Sequence, residues 1–261
     1  MQLNGIGRFI FWSGGSLWIG RALAPSELHS HHAIQVSLGL SGQVQFRTAD
    51  SLPWQYYDAV IIPPDIMHTF QAPGSDVAQL FCEPESVVGR ALLTRFRDSD
   101  LMTLPSGDIA PHLTRLRDAF YDGQDDEELE DIVLETFFAL GQQIVAPPAD
   151  QRILRAMAFI ANHLAEPLSL EGVANEVGLS PGRFRHLFVA ETGISLRPYL
   201  LWTRLNRALE LGFSGRSWTE AAHATNFADS AHLTRTARRM YGLVPSSLRQ
   251  EVPVASRGMT G

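Results

Sequence analysis

Residues 226–245 run Asn226-Phe-Ala-Asp-Ser-Ala-His-Leu-Thr-Arg-Thr-Ala-Arg-Arg-Met-Tyr-Gly-Leu-Val-Pro245, and Ser217-Trp-Thr-Glu220 precedes them. A serine followed three residues later by glutamate is a capping box, which starts a helix by satisfying its first free amides. Ala221, Ala222 and Thr225 then form a small inner face that allows another helix close approach. Asn226-Phe227 makes a turn, since asparagine tolerates the left-handed backbone that most residues avoid. Asp229 or Ser230 caps a second helix with Leu233, Ala237 and Tyr241 inside and His232, Thr234, Arg235, Arg238 and Arg239 outside.

The same two-helix pattern occurs earlier. Ser169 caps a helix whose apolar residues Leu170, Val173, Ala174 and Val177 recur at helical spacing. Gly178 supplies the turn, and Ser180-Pro181 restarts the chain as N-cap and first helical residue. The second helix of this pair turns Phe184, Leu187 and Phe188 inward and Arg183, Arg185, His186 and Glu191 outward. Between the pairs, Tyr199, Leu200, Leu205, Ala208 and Leu209 suit a linking helix that holds them at a fixed separation. Two short helices about a tight turn let a protruding second helix enter a major groove about 12 Å wide.

Two such units in tandem, with the 226–245 motif, resemble the AraC/XylS family of transcription regulators across about residues 150–250. Asn226 stands where the family usually has glycine and Ala237 where it usually has an aromatic; both departures bear on packing more than on function. The resemblance implies one protomer reading two successive major-groove segments roughly 34 Å apart. By position it offers Gly182, Arg185 and His186 from the first reading helix, and Ser230, Ala231, His232, Thr234 and Arg235 from the second. Chemistry makes Arg185 and Arg235 the candidates for bidentate contact with guanine, and Arg183, Arg238 and Arg239 those for phosphates.

Charge distribution agrees. The whole chain carries −7, but residues 1–150 hold 8 Arg against 20 acids, a net of −12, whereas residues 151–261 hold 13 Arg against 8 acids, a net of +5. Such asymmetry suits one half that meets a polyanion and another with a different task. All 21 basic residues are arginine. Cys82 is the only cysteine, so neither an intrachain disulfide nor a cysteine-rich zinc site can form. No stretch approaches the roughly 18 to 20 uncharged apolar residues of a membrane helix, and no signal peptide opens the chain. The expected location is the cytoplasm.

The first 80 or so residues predict short strands at Arg8–Trp12, Ser16–Leu23, Ile34–Gly39, Val44–Arg47, Ala59–Ile62 and Val77–Phe81, separated by Gly, Pro, Ser and Asp turns. This pattern predicts a β-sandwich or barrel. After Pro84 the period becomes helical through Val87, Leu92, Leu113, Leu116, Phe120, Leu129, Ile132, Val133, Phe137 and Leu140, a helical annex to the barrel. Asp122–Asp131 reads as a solvated turn and helix start. Val145-Ala-Pro-Pro-Ala-Asp150 marks the domain boundary, since neither proline can continue a helix. The expectation is an α+β chain of two domains: an effector-binding and possible dimerisation domain over 1–146, and an all-α domain with two helix-turn-helix units over 151–250.

The N-terminal segment also holds His29, His31, His32 and Gln35, and later His68. Spacing of two places His29 and His31 on one side of a strand, and His68 supplies a third imidazole. This resembles the cupin pattern, in which two His and an acidic ligand come from a first motif and one His from a second. Gln35 stands at the acidic position as a neutral, weaker ligand. Three readings stay open: hydrogen bonding without metal, a divalent metal that holds or senses an effector, and an enzymatic metal centre. Trp12, Trp18, Phe46, Trp54, Tyr56, Tyr57 and Phe70 are candidates to line an apolar pocket or simply to be core.

The combined resemblance implies a sequence-specific DNA-binding regulator whose barrel answers to a small-molecule effector. Its partners would be double-stranded DNA, a second copy of the chain through helices within 109–146, and RNA polymerase where it acts as an activator. The chain shows no phosphate loop or nucleophile elbow and is not expected to be an enzyme. The alternative is a metal-dependent cupin enzyme whose C-terminal helices mediate assembly.

Overall fold

The computed structural model describes residues 3–96, 101–141 and 149–251. The chain divides into two compact units, Met1–Val145 with Tyr241–Gly261, and Ala146–Met240. The predicted boundary at 145–150 falls largely on 142–148, outside the described residues. The helical unit ends at Met240, and the residues from Tyr241 onward count with the N-terminal unit instead of running on to 250 in the helical one.

The first unit begins with β1 (Gly5–Trp12), β2 (Gly15–Ala22), β3 (Ile34–Gly39), β4 (Val44–Arg47), β5 (Gln55–Tyr57), β6 (Ala59–Ile62), β7 (Thr69–Gln71) and β8 (Asp76–Cys82). Helix α1 (Val87–Phe96), strand β9 (Met102–Thr103), and helices α2 (Ser106–Tyr121) and α3 (Asp126–Leu140) follow. The large sheet has the order β10-β1-β2-β8-β3-β6-β9, where β10 is Leu248–Gln250, and the small sheet is β5-β4-β7. All pairings are antiparallel except β1 with β10, which is parallel with Gly5 opposite Leu248.

Side-chain alternation gives the large sheet two buried faces. On one, Leu17, Ile19, Val36, Leu38, Ile61 and Leu80 join Leu92, Leu116, Leu129, Ile132 and Phe137 of the three helices in one core. On the other, Trp18, Val60, Ile62 and Val77 meet Val44, Phe46, Tyr57 and Phe70 of the small sheet. The helical annex therefore packs on the sheet. Of the aromatic set, Trp18, Phe46, Tyr57 and Phe70 are core, while Tyr56 is 62% exposed. Asp125 starts α3 by accepting from the Glu128 amide at 2.9 Å. Buried Arg8 on β1 pins that turn through Asp126 and the Gln124 carbonyl.

The second unit contains α4 (Gln151–Asn162), α5 (Leu170–Glu176), α6 (Pro181–Thr192), α7 (Leu196–Phe213), α8 (Trp218–Ala224) and α9 (Ser230–Tyr241), whose final residue, Tyr241, already counts with the first unit. Ile153, Ile160, Val173, Ala174, Phe184, Phe188, Tyr199 and Leu200 form one core that joins α4 to α7. Among the described residues no helix is long and apolar enough to cross a membrane.

Candidate nucleic-acid interface and histidine site

In the first helix pair, the Ser169 hydroxyl accepts from the Gly172 amide at 3.0 Å and that of Ser180 from Arg183 at 3.4 Å. Gly178 between them has φ +69°, a left-handed backbone that a Cβ would strain. Burial of Phe184 and Phe188 fixes the opposite face of α6 outward, and Gly182, Arg183, Arg185 and His186 are all exposed there. Glu191 turns back instead and accepts from the Asp150 amide at 3.3 Å.

In the second pair, the predicted capping box forms reciprocally between Ser217 and Glu220. Asn226 takes φ +60°, the conformation inferred for it. Asp229 caps α9 through the His232 amide at 2.6 Å. Buried Leu233 and Ala237 set the inner face, which leaves Ala231, Arg235, Arg238 and Arg239 exposed and Ser230, His232 and Thr234 half-buried. The His232 ring sits edge-on to Phe227 at 5.1 Å between centroids, so it also serves packing. No ion pair ties Arg185, Arg235 or Arg239 to an acid among the described residues.

Sequence reading missed what holds the pairs together. Arg204 on α7 donates to the carbonyls of Leu164 at 3.0 Å and Glu166 at 2.7 Å, and Asn226 donates to the same Glu166 carbonyl at 3.0 Å. The only local signal is an arginine on a largely apolar helix. Tyr241, predicted inside the second pair, counts with the first unit, where its ring centroid lies 5.4 Å from that of Phe81 and 6.0 Å from that of His31.

In the first unit, His29, His31 and His68 are buried and offer ligand atoms that all lie within 4.8 Å of one another. His29 and His31 precede β3 and are not on a strand as the spacing suggested; a backbone bridge between His29 and His68 supplies the alternation instead. Each ring is oriented by a main-chain carbonyl two residues away: His29 Nδ1 by Glu27 at 2.8 Å, His31 Nδ1 by Ala33 at 3.0 Å and His68 Nδ1 by Ile66 at 2.9 Å. A ring that donates from Nδ1 presents Nε2 as a lone pair, the arrangement that carbonyl partners enforce on metal-binding histidines. Burial holds all three imidazoles neutral, with His29 lowered to about 3 and His68 well below the ordinary value.

Gln35 on β3 lies with Oε1 2.7 Å from His31 Nε2. Two acceptors then face each other, which a cation between them would reconcile. Its Nε2 donates to Ser37 at 2.8 Å and to Gln79 Oε1 at 2.6 Å, extending a buried polar chain that the sequence reading did not include. Turning both amides end for end would satisfy His31 without an ion. In either arrangement His68 Nε2 is buried with no hydrogen-bond partner among the described residues. A lone pair left so, beside two more neutral imidazoles, fits a divalent cation held by His29, His31, His68 and Gln35. Nearby, His32 Nε2 pairs with buried Glu85 at 2.9 Å.

Residues 173–251 match the model of a helix-turn-helix domain family. Within curated proteins, the chain is 32% identical over 107 residues to the regulatory protein PocR of Salmonella typhimurium, covering 40% of this chain and 35% of that one. It is 30% identical over 123 residues to the arabinose operon regulatory protein of Escherichia coli, covering 46% and 42%, and 33% identical over 102 residues to the transcriptional activator RhaS of Escherichia fergusonii, covering 39% and 37%. The chain thus spans less than half the length of these relatives. Among solved structures, an apo ToxT variant from Vibrio cholerae aligns with TM-score 0.58 at 12% identity, over 88% of this chain and 94% of that one. Wild-type ToxT bound to an unsaturated fatty acid aligns with TM-score 0.56 at 12% identity, over 88% and 92%. These likenesses show a shared fold, a β-sheet N-terminal region and a helical C-terminal domain. Residues 173–251 therefore form a helix-turn-helix domain, similar in sequence to the corresponding parts of these transcription regulators.

Proposed function

We propose that this protein is a cytoplasmic, sequence-specific DNA-binding transcription regulator controlled by a small-molecule effector. The observation that carries the reading is the pair of capped reading helices, α6 and α9, each with its apolar face buried and its arginines exposed inside a matched helix-turn-helix domain. Both helix pairs are then helix-turn-helix units. Arg185 and Arg235 read guanine edges, helped by His186, His232, Ser230 and Thr234; Gly182 and Ala231 permit close approach; Arg183, Arg238 and Arg239 bind phosphates.

The two sheets of the first unit form a cupin-type barrel that receives the effector. His29, His31, Gln35 and His68 hold a divalent cation that supplies a fixed positive charge for an effector group. A second copy binds across the exposed face of α3 at Leu134 and Phe138, which are 36% and 58% exposed. Effector binding shifts the population between two arrangements of the regulator, and where the output is activation the further partner is RNA polymerase. The named relatives are regulators, and no catalytic role is assigned to the barrel.

Selection of bound sequences from a random DNA pool, followed by titration of the winner against scrambled DNA at fixed salt, tests this reading. A motif of two blocks roughly 34 Å apart is expected. Equal affinity for selected and scrambled DNA would overturn it.

A further inference from the structure

Within the first unit, the chain from Tyr241 onward lies beside the histidine site and then joins the sheet. Tyr241, the last residue of α9, sets its ring 6.0 Å from His31 and 5.4 Å from Phe81. Gly242 follows with φ +66°, and its carbonyl accepts from the Glu27 amide at 2.8 Å. A Cβ at Gly242 would come within 2.4 Å of the Glu27 carbonyl oxygen and 2.6 Å of His29 Nδ1. Glu27 is thus shared: its carbonyl orients His29 and its amide holds the chain leaving α9. Beyond Gly242, Asn4 donates to the Ser247 carbonyl, Leu248–Gln250 pair with Gly5–Gly7, and Glu251 donates to the Gly7 carbonyl at 2.8 Å.

We propose that Tyr241–Glu251 is a strap whose docking within the first unit is coupled to occupancy of the histidine site by a divalent cation. It rests on the reading of His29, His31, His68 and Gln35 as a cation site. Its construction suits a switching element. A parallel edge strand of three residues is among the least protected parts of a sheet and opens locally at small cost, whereas the central strands do not. A cation that fixes the His29 ring also fixes the Glu27 peptide behind it, and with it the seat of Gly242. Gly242 admits no side chain, so the strap must follow that seat and cannot slide over it.

Linkage makes the proposal testable from both sides, because a cation that tightens the strap must itself be bound more tightly when the strap is in place. The probe is Co²⁺ added to the full chain, with its binding followed by visible absorption and assigned to the site by loss of the spectrum in His68→Ala. Hydrogen–deuterium exchange of the wild-type chain is then measured with and without saturating Co²⁺. We expect peptides covering 241–251 to exchange at least about fivefold more slowly when Co²⁺ is bound, the lower end of ordinary coupling strengths, with α3 as an unaffected reference. Glu251→Pro removes the amide that bonds the Gly7 carbonyl while keeping extended backbone, and should weaken Co²⁺ by a similar factor. Co²⁺ binding with unchanged exchange at 241–251 would overturn the strap and leave the cation site standing. Absence of a Co²⁺ spectrum in the wild-type chain would overturn both.

Discussion

Asn226 and Glu166, 60 positions apart, are joined by a hydrogen bond of 3.0 Å from the asparagine side chain to the glutamate carbonyl. The bond fastens the turn of the second helix pair to the loop between α4 and α5, and Arg204 donates to the same carbonyl. Where the AraC/XylS pattern that the sequence resembles usually has glycine, this chain keeps the left-handed turn and gains a tether. Asn226→Ala should lose both, since alanine resists a positive φ by about 1–2 kcal/mol and the bond is worth about 0.5–1.5 kcal/mol. Asn226→Gly should lose only the bond. Denaturant midpoints of the two variants measure the difference, and equal losses would show that the turn conformation carries no cost.

Arg185 on α6 and Arg239 on α9 are both exposed, yet the proposed function gives them different tasks. Arg185→Ala should weaken the selected sequence by about 1–3 kcal/mol and relax preference at one base position. Arg239→Ala should weaken selected and scrambled DNA alike and reduce the salt slope by about 1. Titrations on both DNAs at several salt concentrations check this; a uniform loss for Arg185→Ala would remove it as a base reader.

The helix pairs were legible because their signals are local. Ser169, Ser180 and Ser217 cap the helices that their spacing predicted, and the 3.6 period located Val173, Phe184 and Leu233. The long strands were legible for the same reason. The three-residue strands β5, β7 and β10 were not, since Gln55-Tyr-Tyr or Leu248-Arg-Gln has too few residues to show a period. Nothing in Leu248-Arg-Gln announces a parallel partner near the opposite end of the chain. The histidines were found from their spacing together with the cupin resemblance, although His29 and His31 do not lie on a strand, while Ser37 and Gln79, which extend the same polar chain, come from different strands that only the register brings side by side.

The buried imidazoles give the first unit a defined acid sensitivity. Burial, reinforced by the neighbouring histidine, lowers His29 to about 3, and His31 and His68 are also lowered. In the unfolded chain each titrates near 6.5, so between there and the folded value the unfolded state binds more protons and stability falls as pH falls. Each uncoupled group contributes about 1.4 kcal/mol per pH unit in that window. His32 has the opposite sign: burial lowers it, but the hydrogen bond and charge of Glu85 outweigh burial and raise it, so its contribution is lost as pH rises. With metal chelated, thermal midpoints of wild type and His29→Gln from pH 6.5 to 4 should converge, the variant having the shallower slope. Parallel slopes would show that His29 is not held neutral.

Cys82 tests the core between the large sheet and the helices. It ends β8 among Leu80, Ile34 and Leu92, and burial pushes its thiol up to about 12. The thiolate is the reactive form, so at pH 8 the folded protein should offer almost none. A disulfide reagent should therefore label Cys82 only as fast as the first unit opens, with a rate that rises with denaturant and becomes independent of reagent concentration at high reagent. Stoichiometric labelling within seconds in native buffer would place Cys82 at an accessible surface and contradict the packing of α1 on the sheet.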